Sequence, residues 1–280
     1  MPDLHSHHDH SAVAEAVVAD DVVLGHNSHI AVHASSFFIP AGKVTTVIGP
    51  NGSGKSTLLH AIAGLLSPLA GSLRVLDAQP QSRREHISYV LQNTTVPIGT
   101  PITVAETVMM GRYPGLGLMR RPSKLDKARV SEAMEKLRIT DLAKRHLSEL
   151  SGGQRQRVYV AQGIAQDHDV LLLDEPLTGL DIASAQTIDE IIHQEPGGGC
   201  TVILTTHDLD EARASDFVVL MAGRVVAAGP PAAVLTNDNL LTAYGLGGLH
   251  RSQDAEPTTD HHHHDHDHGS HGDHDHQRGL

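Results

Sequence analysis

Apolar side chains follow two rhythms along this chain. Short, nearly unbroken runs, "KVTTVIG" at 43–49, "DVLLLDEP" at 169–176, "CTVILTTHD" at 200–208 and "FVVLMAG" at 217–223, read as strands buried on both faces. "AVVADDVVLG" at 16–25, "HASSFFIP" at 33–40 and "RVVAAG" at 224–229 are further strand candidates. Helical spacing takes over in "KSTLLHAIAGLL" at 55–66, in "TVAETVMMG" at 103–111 and through "KLDKARVSEAMEKLRITDLAKRHL" at 124–147. A Gly/Pro-rich bend, "GRYPGLGLMRRP" at 111–122, separates the last two. Buried strands alternating with helices predict an α/β domain around a mostly parallel sheet, with a helical insertion at about 94–150.

The two ends carry neither rhythm. Residues 1–14 and 249–280 are polar and repetitive, with too little apolar surface to offset the entropy of ordering, and are expected to be disordered tails flanking a body at 15–248. Charge divides the same way. Of a net charge of -12, residues 1–21 contribute five acids and no base, and residues 251–280 seven acids against two arginines. The body is left with 21 acids against 19 bases, which gives no basic footprint for nucleic acid. The apolar runs fall far short of the ~20 residues that span a bilayer. The first ten residues lack the basic and apolar regions of an export signal, so a cytoplasmic location is expected. One cysteine, Cys200, excludes an intrachain disulfide and reads as a small buried residue opening a strand.

Candidate chemistry begins with "GPNGSGKST", Gly49, Pro50, Asn51, Gly52, Ser53, Gly54, Lys55, Ser56 and Thr57, placed between an apolar strand and a helix. Glycines let successive backbone N–H groups turn toward a phosphate, the helix start adds positive dipole, Lys55 adds charge, and the Ser56 hydroxyl can reach Mg²⁺. The loop is suited to a nucleoside triphosphate. Hydrolysis also needs a carboxylate to hold the metal and a group to position or deprotonate water. Asp174, ending a buried strand, suits the first task and Glu175 the second. In "LSGGQRQR" Ser151 and Gln154 have capping-box spacing, and Gly152 and Gly153 beside the cap expose backbone donors. That is a second anion site without a lysine, and two half-sites suggest a dimer.

These motifs, with Gln92 in "YVLQN", "LTGLD" at 177–181 and His207 in "TTHD", resemble in order and spacing the nucleotide-binding subunits of ABC transporters, over roughly residues 17–245. The resemblance implies a phosphate-loop ATPase fold with a helical subdomain and an antiparallel β region, and a head-to-tail homodimer. In that dimer Ser151, Gly152, Gly153 and Gln154 of one subunit would face the ATP held by the other's Lys55, with Asp181 at the seam. Gln92 would join the Mg²⁺ and water shell together with Ser56 and Asp174, and His207 would contact the γ-phosphate. His26 stands where the family usually has an adenine-stacking aromatic; a turn residue is the alternative reading.

The resemblance further implies a separate integral-membrane permease, docked on the helical subdomain at the cytoplasmic face, and through it an extracytoplasmic metal-binding protein. Residues 104–130 resemble the ATPases of zinc and manganese importers and of their iron-siderophore relatives. A soluble, non-transport ABC ATPase is the alternative from another class. The C-terminal tail holds nine histidines, His261, His262, His263, His264, His266, His268, His271, His274 and His276, interleaved with Asp. Neutral imidazole suits Zn²⁺ and disfavours Mn²⁺, so the tail points to zinc; a low-complexity remnant and a purification tag are the other readings.

Overall fold

The computed structural model describes residues 14–26, 29–92, 101–116 and 121–245. The expectations for the two tails, including all nine C-terminal histidines, lie outside the described residues. Two long strands open the body, β1 (Glu15–His26) and β2 (His29–Pro40), followed by β3 (Val44–Ile48), α1 (Lys55–Ile62), β4 (Ala70–Val75) and β5 (Ile87–Val90). Next come α2 (Val104–Met110), α3 (Tyr113–Leu116) and α4 (Lys124–Lys136). The alternating half then runs α5 (Gly152–Ala165), β6 (Val170–Asp174), α6 (Ile182–Gln194), β7 (Thr201–Thr206), α7 (Leu209–Ala214), β8 (Phe217–Met221) and β9 (Val225–Gly229), ending in α8 (Pro231–Val234) and α9 (Asn237–Tyr244).

Two sheets form. One has the order β2-β1-β4 and is antiparallel; the other has the order β5-β6-β7-β3-β8-β9 and is parallel except for the β8–β9 pair. The nearly unbroken apolar runs are the interior strands, because both faces of the large sheet are covered. Strand alternation sends Leu171, Leu173, Val202 and Leu204 into a core with α2, α4, α5 and α6. Val170, Leu172, Ile203 and Val47 point the other way, onto α1 and the antiparallel sheet. A smaller core joins Ile48, Val218 and Leu220 to α7, α8 and α9. Among the described residues, no helix is long and apolar enough to cross a membrane.

The helical periodicity at 124–147 does not make one helix. It stops at Lys136; Arg138 takes the left-handed conformation at φ 54, and the chain continues in 3-10 turns at Thr140–Leu142 and Leu147–Glu149. Leu137, Ile139, Leu142 and Leu147 are still buried, so the apolar pattern served the core without serving a helix. Cys200 immediately precedes β7 and is buried, which pushes its thiol up to about 12.

Candidate functional site

The glycine loop follows β3 and leads into α1. Gly54, the residue before the helix, has φ 97, and a Cβ there would strike the Val32 side chain and the Ala31 carbonyl of β2. Only glycine fits both the left-handed backbone and that approach. A Cβ on Gly49 would run into the Met221 carbonyl at the end of β8. The turn after β8 clamps the loop from the same side, the Gly223 N–H donating to the Ser53 carbonyl at 3.1 Å.

Lys55 is buried, and its ammonium donates to the loop's own carbonyls, Gly49 at 2.8 Å and Pro50 at 3.2 Å. Burial holds its pKa below the ordinary lysine value, while the carboxylates of Glu175 and Asp174 pull the other way. Ser53 Oγ is buried without a hydrogen-bond partner. A charged ammonium, an unpaired buried hydroxyl and the free N–H groups of a helix start are donors in search of an anion. Asn51, Gly52 and Ser56 are exposed, and Thr57 is half-buried.

The acidic side of the site comes from neighbouring strand ends. Asp174 terminates β6 and is paired in register with Thr205 of β7. The fully buried Thr205 hydroxyl donates to Asp174 Oδ1 at 2.5 Å and accepts from the Glu175 N–H at 2.9 Å, so one side chain ties down both acidic residues. Glu175 itself is left-handed at φ 46, an uncommon conformation for a residue with a Cβ. Around its Oε2 gather Gln92 Nε2 at 2.5 Å, Thr178 Oγ1 at 3.4 Å and His207 Nδ1 at 4.0 Å. Tyr89 of β5 lies against Asp174 Oδ2 at 3.4 Å, and burial, with the Asp174 charge, raises its phenol pKa.

Gln92, Asp174, Glu175, His207 and Gly49 thus all stand at or just beyond the C-terminal ends of adjacent parallel strands, the usual ligand side of such a sheet. The buried lysine, the orphan hydroxyl and the strand-end carboxylates fit a nucleotide triphosphate with Mg²⁺. Thr205, Tyr89 and Thr178 escaped the sequence reading. All three sit inside the quoted motifs, but only strand register and turn geometry reveal their contacts.

Ser151 caps α5 as its spacing predicts. Its side chain accepts from the Gln154 N–H at 3.2 Å, and Gln154 Oε1 accepts from the Ser151 N–H at 3.0 Å. Asp181 caps α6, accepting from the Ser184 N–H at 2.9 Å and the Ser184 hydroxyl at 2.8 Å, which holds its carboxyl below the ordinary aspartate value. A Cβ on Gly153 would collide with Asp181 and Ser184, so the starts of α5 and α6 touch within one chain. Gly152 faces open space. His26 is exposed at the end of β1, opposite His29 of β2, while Ala31 and Val32 are the β2 residues against the phosphate loop.

A glycine loop between strand and helix, a buried lysine and a strand-end Asp-Glu pair define an ATPase of the phosphate-loop class. Residues 32–178 match the family model described as ABC transporter, and the chain belongs to that family. It is 40% identical over 236 residues to the zinc transport system ATP-binding protein TroB of Treponema pallidum (strain Nichols), covering 84% of this chain and 89% of TroB. To the manganese transport system ATP-binding protein MntB of Listeria monocytogenes serovar 1/2a it is 36% identical over 225 residues, covering 80% and 94%. Among solved structures, an inward-facing transporter described as of the metal-chelate ABC type superposes with a TM-score of 0.72 at 28% identity, covering 82% of this chain and 88% of the other.

Proposed function

We propose that this chain is the ATP-binding subunit of an ABC importer for a divalent transition metal, with zinc as its cargo. The observation that carries the reading is the likeness, over four-fifths of the chain, to proteins named for zinc and manganese transport. The body would span 15–248, with the tails at 1–14 and 249–280 as appendages. Tail chemistry separates the two metals, because nine closely spaced imidazoles favour zinc over manganese. Manganese or iron-chelate import is the second reading, supported by the MntB likeness and by the metal-chelate type of the solved neighbour.

In this reading the loop 49–57 and Lys55 hold the phosphates, while Ser56, Asp174 and Gln92 are the residues that would hold Mg²⁺. That ion would neutralise phosphate charge. Glu175 accepts or orients the proton of the attacking water, with Gln92 and His207 steering its carboxylate. Ser151–Gln154 and Asp181 act across a homodimer on the partner's nucleotide, and His26 lies toward the base. The permease docks on the helical region, where Met110 and Tyr113 are exposed and Met110, with the exposed Leu91 that follows β5, lines a cavity of about 220 Å³. Docking there would hold the subunit at the cytoplasmic face of the membrane, and an extracytoplasmic metal-binding protein would act through the permease.

Metal content of cells lacking this chain tests the reading. Zinc accumulation should fall and return on complementation with the wild type but not with Glu175→Gln, while manganese stays unchanged. Restoration of manganese instead of zinc would replace the first reading by the second. Truncation after Gly248 should leave ATP hydrolysis intact and change zinc accumulation or its feedback; unchanged zinc would remove the tail from regulation.

A further inference from the structure

Nucleotide chemistry gathers at the C-terminal ends of the parallel strands. A different cluster lies at the opposite ends of β6 and β7. His168 precedes β6, Glu195 opens the 3-10 turn Glu195–Gly198 after α6, and Cys200 precedes β7. One ligand atom from each lies within 4.8 Å of the others. The parallel register explains the meeting. Val170 pairs with Thr201, and the Thr201 N–H donates to the Asp169 carbonyl at 2.8 Å, so the residues before the two strands run side by side.

The histidine is prepared for a ligand role. Its side chain is only 5% exposed, and Nδ1 lies 2.7 Å from the Gln166 carbonyl. A carbonyl only accepts, so Nδ1 carries the proton, and in the neutral ring Nε2 presents a lone pair. That Nε2 is buried without a hydrogen-bond partner and faces Glu195 Oε2 at 3.6 Å. A lone pair opposite a carboxylate calls for a cation or a proton between them. A proton would engage only His168 and Glu195, whereas the thiol completing the cluster suits a metal. Glu195 Oε1 lies 3.5 Å from the Lys136 ammonium, which leaves Oε2 to point inward. The three residues line a cavity of about 250 Å³ that Glu132 also borders.

We propose that His168, Glu195 and Cys200 form a fixed binding site for a borderline-soft divalent cation of the Zn²⁺ class, separate from both the nucleotide site and the tail. A thiolate, a carboxylate and a neutral imidazole carry two negative charges, which one divalent ion neutralises. Tetrahedral zinc needs its nitrogen, oxygen and sulfur ligands about 3.3–3.8 Å apart, a spacing the His168–Glu195 pair already has. Rotation of the Cys200 thiol away from the Thr201 carbonyl, which it meets at 3.5 Å, together with a turn of Glu195, would bring in the sulfur. Water fills the fourth position. The Gln166 carbonyl is the outer partner that fixes the imidazole tautomer. Binding forms a metal–sulfur bond and releases the thiol proton to solvent, with no redox change. The donor set excludes Mg²⁺ and disfavours Mn²⁺.

The full-length chain can be tested without removing its tails, because Cys200 is its one cysteine. Co²⁺ bound by a thiolate gives an intense near-ultraviolet charge-transfer band that imidazoles and carboxylates cannot produce. Titration under a thiol-free reductant should raise such a band to a plateau whose intensity corresponds to one thiolate-bound Co²⁺ per chain, whatever the tail histidines take up, and Zn²⁺ but not Mg²⁺ or Mn²⁺ should bleach it. Cys200→Ser should abolish the band with ATPase activity unchanged, and His168→Gln should weaken apparent affinity at least about tenfold. The absence of the band in the wild-type chain at saturating Co²⁺ would overturn the proposal. So would an unshifted midpoint in a folded His168→Gln chain. Should that variant fail to fold by circular dichroism, Glu195→Gln must show the tenfold weakening, and the wild-type band with its Zn²⁺ competition remains decisive.

Discussion

Thr205→Val removes one oxygen and nearly nothing else, yet that oxygen serves both acidic residues of the ATP site. The hydroxyl is fully buried, donates to Asp174 Oδ1 and accepts from the Glu175 N–H. A hydrogen bond to a charged group contributes about 1.5–3 kcal/mol, and a buried donor left unpaired costs about 1–3 kcal/mol. The two losses share one atom and are not additive, so about 2–4 kcal/mol is expected, which for a body of this size is a fall in melting temperature of about 5–15 °C. Activity should fall further than stability explains. Freed from Thr205, the Asp174 carboxylate can turn and the left-handed Glu175 backbone loses its tether, and misplacement of about 1 Å costs up to a hundredfold in turnover. Thr205→Ser separates the effects: it deletes a buried methyl for about 1 kcal/mol but keeps both hydrogen bonds. Calorimetry and steady-state ATPase assays at a temperature where all three proteins are folded give the comparison. Wild-type turnover in folded Thr205→Val, or equal losses in the Val and Ser variants, would refute the tethering role.

Other outcomes follow from the same site and its supports. Glu175→Gln should keep ATP binding, measured by filter binding, lose turnover by about a hundredfold or more and collect as an ATP-bound dimer in size-exclusion chromatography; undiminished hydrolysis removes Glu175 from its role. Ser151→Arg should abolish hydrolysis, and mixing it with Lys55→Ala subunits should restore part of the activity by assembling one intact composite site; full activity of an isolated monomer contradicts that scheme. Asp126 accepts from the Ser123 hydroxyl and N–H and then from Arg112, which together hold its carboxyl at about 2, below its ordinary 3.8. Because the unfolded state binds the extra proton, this stabilisation is complete above the ordinary value and is lost as pH falls toward about 2. The stability gap between wild type and Asp126→Asn in urea should therefore shrink on acidification.

The divide between what the sequence announces and what it hides follows the range of the interactions. The phosphate loop is legible because its turn, its lysine and its helix start are consecutive. The cap of α5 needs only residues 151–154, and the central strands stand out because burial on both faces leaves few positions for side chains more polar than threonine. β4 and β5 leave no clear strand signal in the pattern. In β4 only Leu73 and Val75 are buried, which is too short an alternation to stand out, and β5 has just four residues. The left-handed Arg138 was equally hidden, since its neighbours keep the apolar spacing of a helix while packing through 3-10 turns.

Contacts made by register form the largest hidden class, and they include the most consequential ones. Asp174 meets Thr205 because β6 and β7 pair in that frame. The same frame, followed back to the N-terminal ends of the strands, brings the chain around His168 beside the residue before Thr201. One parallel pairing therefore sets two polar clusters at opposite ends of two strands, about 20 Å apart at ~3.3 Å per residue. A one-residue slip would exchange the two buried faces of β7, sending Val202 and Leu204 to the side that Ile203 now fills, and part both clusters at once. The interior packing of Leu171, Leu173, Val202 and Leu204, which forbids that slip, holds in place both the ATP chemistry at one end and the cation site proposed at the other.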